Sequence, residues 1–359
     1  MNKNINKQPY SHLKILWHPD KLQALRDGVM TAPLYVRIKP TNRCNHRCFY
    51  CSYADKDLKL RESVQSFDEI PWKILKEAIS DLADIKIKAV TFSGGGEPLM
   101  YPYIEDAFKL ILKKKIDLSL ITNGQLLCGK KADLLSRAKW VRISMDSCKS
   151  KTFSKIRGIS EKSFHVIATN IRAFAKKKNK SCELGINFVV THQNADQVYD
   201  MAKFVKGLGV NHIKYTARIT RNLFAYHKPF KDIVVEQIYK AQKKFGDSTF
   251  KTVNKYEDDF VLSMKAKRTY HFCPMVQVLT VIAADSKVYL CHDKAYVPSG
   301  EIGDLKKKMF KEIWFSSKTK KIFKNLDPVK QCRHHCVYDQ RNIFINQIIS
   351  KPDSHANFI

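Results

Sequence analysis

Three cysteines crowd into eight residues, Cys44-Asn-His-Arg-Cys48-Phe-Tyr-Cys51. With gaps of three and two residues, one short loop can wrap its thiolates around one face of an iron–sulfur cube, a group that usually takes four ligands from protein. One iron is left open to another ligand. A zinc ion with His46 as fourth ligand is the alternative, although zinc motifs more often join a short gap to a distant second pair. Four more cysteines lie in the last quarter. Cys273 and Cys291 flank a predicted hairpin, and Cys332-Arg-His-His-Cys336 forms a close pair. Four thiolates complete either a second iron–sulfur cluster or a structural zinc site, and His334 or His335 could replace one of them. Cys128, Cys148 and Cys182 have no partner at useful spacing and read as small buried side chains.

Between the two sets stands Ser93-Gly-Gly-Gly-Glu97-Pro98. Glycine lets the backbone approach a ligand closely, and a carboxylate beside it can accept hydrogen bonds from an ammonium group. Strands predicted at 34–39, 89–92, 118–122, 141–144, 184–190 and 212–216 alternate with helices near 130–138, 161–177 and 194–207. Two further helices are marked by Ile74, Leu75, Ala78, Ile79 and Leu82, and by Ile104, Ala107, Phe108 and Ile111. A capping box at Ser66 and Glu69 announces the first of these. Such alternation means a parallel sheet with right-handed crossovers, and periodicity alone fits either an open doubly wound sheet or a partial barrel. Both motifs follow directly on strands, at the edge where parallel α/β folds build their sites. A helix is expected at 232–245, a polar linker to about 270, and a small metal-stapled unit with hairpin strands at 278–282 and 287–290. Residues 18–27 read as one short helix packed on the barrel.

The chain has 359 residues, 44% of them hydrophobic, and carries a formal charge of +30 at neutral pH. That composition excludes a disordered or fibrous chain. No apolar run approaches the roughly 20 residues of a membrane span, and the N-terminus lacks a signal-peptide core, so a cytoplasmic location is expected. Lysine runs such as 113–115, 176–178 and 306–308 fall mostly toward predicted helix ends, where cations interact favourably with the helix dipole and face solvent. The charge therefore reads mainly as solvated surface, with a smaller part steering an anionic substrate. Nucleic-acid binding is the competing reading, and its mark is affinity that collapses with salt.

CNHRCFYC, followed at the next strand end by Gly95-Gly96-Glu97-Pro98, resembles the radical SAM superfamily over roughly residues 33–220. The cysteines after the hairpin resemble the family's twitch and SPASM appendages, and their number matches the shorter, one-cluster form. Asp285-Ser286-Lys287, where a glycine is usual, and the three-residue gap in the closing pair depart from that pattern. The resemblance implies a partial (β/α)6 TIM-like barrel at 33–246 after an N-terminal extension at 1–32. It further implies a linker at 247–269, a small C-terminal β-hairpin/α iron–sulfur domain at 270–345 and a tail at 346–359. Implied cofactors are a [4Fe–4S] cluster on Cys44, Cys48 and Cys51, S-adenosylmethionine, and one auxiliary iron–sulfur cluster on Cys273, Cys291, Cys332 and Cys336. S-adenosylmethionine would meet Tyr50, Gly95, Gly96, Glu97, Asn123, Ser144, Asp146, Arg157 and Val189. The reduced cluster would split it to a 5′-deoxyadenosyl radical, and an auxiliary cluster supports two-electron oxidation with Asp285, His292 or Asp293 as proton acceptor. The expected substrate is a small, anionic molecule such as a sugar, amino sugar or nucleotide-linked sugar, because 32 residues before the first strand are too few for a peptide-binding domain. The expected electron donor is of flavodoxin or ferredoxin type. Peptide modification, RNA modification and a plain iron–sulfur electron carrier are the other readings.

Overall fold

The computed structural model describes residues 10–55, 64–261, 267–332 and 335–351. One ten-stranded sheet organises the chain. Strands β1 (Tyr35–Ile38), β2 (Ala89–Phe92), β3 (Asp117–Thr122), β4 (Trp140–Ser144), β5 (Glu183–Val190), β6 (His212–Ala217) and β7 (Lys251–Asn254) are successive parallel neighbours. On the other side of β1, β8 (Leu279–Ile282) adds a further parallel pairing, and β9 (Lys287–Tyr289) and β10 (Glu301–Asp304) follow antiparallel. The strand β7 and a helix at Tyr256–Val261 fall in the stretch expected to be a linker. The hairpin of the C-terminal region thus continues the sheet of the barrel rather than standing beside it.

The alternation of each strand explains which face holds the site. Val36, Ile38, Val90, Phe92, Leu118, Leu120, Val141, Ile143, Leu184, Ile186, Ile213 and Tyr215 join the helices in one apolar core. Each such side chain contributes roughly 1.5–3 kcal/mol on burial. Period two then turns Arg37, Thr91, Ser119, Arg142, Asn187 and Lys214 to the opposite, concave face. That face lines the lumen of the partial barrel.

Two local readings of the sequence differ from the structure. The helix Trp72–Asp84 starts after Pro71 without a side-chain cap, and Glu69 instead pairs with Thr41 in an isolated antiparallel bridge that closes the cysteine loop. The early helix, Pro19–Arg26, packs on the C-terminal helix Asp339–Ile349, with Leu25, Met275 and Ile345 in one cluster and Arg26 donating to the Ile348 carbonyl. The hairpin turn without glycine is met by Ser286, which takes φ +67°.

Candidate functional site

The loop 42–55 leaves the C-terminal end of β1 and is fastened on three sides. The glycine motif after β2 holds it from one side: the Gly96 N–H donates to Thr41 O at 3.0 Å and the Glu97 N–H to Arg43 O at 2.8 Å. A Cβ on Gly95 would lie 1.8 Å from Asn42 Oδ1, and one on Gly96 would lie 2.0 Å from the Arg43 carbonyl. These glycines therefore admit the cysteine loop itself, a close approach expected from sequence to serve a ligand. From the hairpin side, Tyr296 donates to Asn42 Oδ1 at 2.6 Å, and buried Lys39 donates to Tyr53 at 2.8 Å while lying over the Tyr53 and Tyr296 rings.

Glu97 is buried, and its carboxylate knits three segments together. Oε1 accepts from the Leu99 N–H at 3.0 Å and Thr122 Oγ1 at 2.7 Å, and Oε2 accepts from the Asn123 N–H at 2.7 Å. Oε2 keeps one acceptor position, enough for an ammonium donor. Burial pushes the Glu97 carboxyl up and these donors pull it down. Asn123 also donates to Asn45 Oδ1 at 2.7 Å. Glu97→Ala strands three donors, at about 1–3 kcal/mol for each one left unpaired. We expect it to lower the melting temperature by several degrees as well as weaken cofactor binding, and Glu97→Gln to recover most of the stability in calorimetry.

The third side is a buried charge network. Asp146, at the end of β4, accepts from the Tyr50 hydroxyl at 2.5 Å, pairs with Arg157 Nη2 at 2.5 Å and takes the Val189 N–H at 2.9 Å. Arg157 Nη1 donates to Cys48 Sγ at 3.5 Å. Burial opposes the guanidinium charge, but Asp146, Tyr50 and Cys48 more than restore it. Arg157 ends the helix Ser150–Arg157, its carbonyl accepts from the Arg47 N–H, and Gly158 at φ +62° leaves no room for a Cβ beside Arg47. Arg157 is thus no surface ion-pair partner, and its Nε is a buried donor without a hydrogen-bond partner. Ser144 lies on the concave face opposite Asn187. Cys44 is exposed and Cys48 and Cys51 are half-buried; desolvation by neighbouring atoms raises the Cys44 thiol, and Glu97, Cys48 and Cys51 add to the rise. His46 spends Nε2 on Gln125 Oε1 at 2.9 Å; burial and then Arg157 hold it down at about 4.

The fold brings the four C-terminal cysteines to one place. Cys273, Cys291, Cys332 and Cys336 line one cavity with Tyr270, Tyr338 and Asn342. Burial pushes Cys291 up to about 12, with Asp293 adding to it, while burial raises Cys332 against the positive charges of Lys294 and Arg268. Four thiols lining one cavity together with Lys294 suit a negatively charged sulfur-ligated cluster. His335 directs Nε2 toward Asp259 Oδ1 at 3.6 Å, and His334 lies outside the described residues. Of the acceptors read from sequence, Asp293 follows His292 and acts by its charge on Cys291 and Cys336. Asp285 is in the hairpin turn, locked by the Tyr289 hydroxyl at 2.5 Å and the Lys287 N–H at 3.2 Å.

Sequence reading passed over the lumen. Arg37, Arg142 and Lys214 stand half-buried on its concave face. Burial, then Arg142, pushes the Lys214 ammonium well below its ordinary value; Asp259 opposes this, and Lys255 and Arg37 add to it. Burial in turn raises Asp259 to about 7 against the Ala217 N–H and Lys214. The available signal was a basic residue in the polar phase of three apolar strands, YVRI, WVRIS and HIKYTA.

Comparison with known proteins agrees with this geometry. The radical SAM superfamily model matches residues 38–205, and a model described as an iron–sulfur cluster-binding domain, SPASM, matches 273–337. The chain therefore carries a radical SAM domain followed by a SPASM-type C-terminal domain. Its cofactors are a [4Fe–4S] cluster, S-adenosylmethionine and an auxiliary iron–sulfur cluster. The GTP 3',8-cyclase of Aquifex aeolicus (strain VF5) is 27% identical over 304 residues, covering 79% of this chain and 90% of that protein. The GTP 3',8-cyclase of Aliarcobacter butzleri (strain RM4018) is 38% identical over 138 residues, 37% of this chain and 40% of that protein. In fold, the chain is similar to Streptococcus suis SuiB bound to S-adenosylmethionine (TM-score 0.62, 16% identity, 94% of this chain and 80% of that one). It is also similar to anSMEcpe with bound AdoMet (TM-score 0.61, 21% identity, 86% and 84%). Among the described residues no helix is long and apolar enough to cross a membrane.

Proposed function

We propose that the enzyme takes a hydrogen atom from a phosphate-bearing small molecule, a nucleotide or nucleotide-linked sugar, held in the lumen by Arg37, Arg142 and Lys214. The observation that carries this reading is the set of mutually repelling cations on the concave face. A bound anion relieves that repulsion, and the named activity of the relatives, GTP 3',8-cyclase, involves such a substrate. Cys44, Cys48 and Cys51 hold the first cluster in this reading, and Cys273, Cys291, Cys332 and Cys336 the auxiliary one. When bound, the first cluster and S-adenosylmethionine supply the hydrogen-abstracting radical. Tyr50, Asp146 and Arg157 fix the loop that carries Cys48, and the spare acceptor position of Glu97 and the Nε–H of Arg157 suit the ammonium and carboxylate of the methionine part. The lumen walls exclude water from the reacting carbon. Cys273, Cys291, Cys332 and Cys336 would hold a cluster able to accept an electron in a net two-electron oxidation, and a flavodoxin- or ferredoxin-type donor, acidic against this basic surface, would serve the first cluster. A cyclisation like that in the relatives' name is the second reading, separated by product mass: two units lighter for oxidation, unchanged for cyclisation.

Calorimetry with GTP, UDP-glucose and pyrophosphate tests the anion site. Hydrogen bonds to a charged group contribute roughly 1.5–3 kcal/mol, so Arg142→Gln is expected to weaken binding by about 10- to 100-fold. An anion raises the depressed Lys214, so binding takes up a proton, its heat varies with buffer, and affinity falls as pH rises. Equal affinities in wild type and variant would remove the lumen as the substrate site.

A further inference from the structure

A second cluster of titratable side chains lies at the other end of the lumen, where β5 and β6 begin. His212, the first residue of β6, accepts at Nε2 from the Tyr10 hydroxyl at 2.9 Å and holds Nδ1 3.1 Å from Glu183 Oε1. A carboxylate only accepts, so the ring proton belongs on Nδ1 and Nε2 receives the phenol. The ring lies over Gly185, where a Cβ would come within 2.1 Å of Nε2, so the missing side chain of β5 makes its berth. Tyr10 is half-buried, the His212 side chain is 5% exposed and that of Glu183 44% exposed, so the row passes through an enclosed imidazole and ends in water at Glu183. At its inner end Lys214 Nζ stands 5.1 Å over the Tyr10 ring.

We propose that Tyr10, His212 and Glu183 form a proton outlet from the lumen floor to solvent. This rests on the reading of the enzyme as one that oxidises a substrate in the lumen. When a hydroxyl or amine is oxidised there, a hydrogen atom and an electron leave by the route that reading supplies, and one proton remains to be removed. The substrate proton bonds to the Tyr10 oxygen as the Tyr10 proton passes to Nε2, and the Nδ1 proton passes to Glu183 and on to water. The row is then restored by ring exchange, with no further reactant. Each inner member is both donor and acceptor, which a simple structural latch does not require. The charged groups facing His212 are Glu183, Arg142 and Lys214, with Lys14 and Lys251 beside Glu183. Burial holds His212 below its ordinary value against the pull of Glu183, so the ring is neutral at pH 7 and able to accept.

The test uses the reconstituted full chain. Nitrogen-15 histidine NMR should show His212 neutral at pH 7, with its proton on Nδ1 and a midpoint below 6.5 that Glu183→Gln lowers further. A charged ring, or a proton on Nε2, overturns the outlet whatever the lumen binds. With GTP and UDP-glucose as probes, His212→Ala should slow product formation at least 10-fold, with nucleotide affinity held, and added imidazole should restore part of the rate. The rate in wild type should fall as pH drops through the His212 midpoint. A loss that imidazole does not rescue, matched by Asp259→Asn, overturns the outlet in favour of Asp259. Failure of both nucleotides to bind wild type would count against the proposed function alone, and the NMR result would still decide the outlet.

Discussion

Cys48→Ala is expected to reduce 5′-deoxyadenosine release from S-adenosylmethionine, under strong reductant, to background, whereas Cys291→Ala should keep that release and lose substrate oxidation. The asymmetry follows from where the two residues lie. Cys48 belongs to the loop after β1, which the glycine motif fastens at Thr41 and Arg43, and takes a hydrogen bond from Arg157. Cys291 lines a separate cavity after β9 with Cys273, Cys332 and Cys336. Outer-shell partners of a metal site already cost 10- to 100-fold when removed, so losing a ligand at a three-cysteine site should exceed about 100-fold. Chromatography of the nucleoside product, with and without GTP, measures both variants. Equal losses in the two would mean that the cavities do not act separately.

The second large effect is expected at Asp146. Its carboxylate neutralises Arg157 while accepting from Tyr50 and the Val189 N–H. Asp146→Asn leaves a buried guanidinium without its counter-charge, a change that costs roughly 3–5 kcal/mol. Because the Arg157 carbonyl anchors Arg47 and its side chain reaches Cys48, the cysteine loop should loosen with it. Calorimetric unfolding should show a melting temperature lowered by several degrees, and reconstitution should recover less iron at the first cluster. Combining Asp146→Asn with Arg157→Leu should restore part of the stability, since it removes the stranded charge. It should not restore cofactor binding.

Much of this was legible in the chain itself. The cysteine spacing marked both cysteine sets, and alternation found β1 to β6 because their outward residues form an unbroken apolar phase. The strand β7 was missed because Lys251–Asn254 is half-buried throughout and carries no such phase. Ser66 and Glu69 gave a capping signal, but Glu69 lies within reach of Thr41 across the cysteine loop, and the tertiary bridge prevails over the local cap. The glycine run was legible as a place of close approach, although not that residues 42 and 43 make the approach. The lumen cations were hidden for another reason. A basic residue in the polar phase of a strand looks solvated until curvature turns that face inward, and only the fold sets Arg37, Arg142 and Lys214 against one another. The contact of Tyr10 with His212 joins residues 202 positions apart and left no local trace.

The account stands on two cysteine sites with different cofactor chemistry. Iron analysis and electron paramagnetic resonance of the anaerobically reconstituted, reduced chain test it most directly. Two cubes require about eight irons per chain, with two signals of which S-adenosylmethionine shifts one, and Cys332→Ala should remove the other. One cluster's worth of iron, or zinc held by the four C-terminal cysteines, would contradict it.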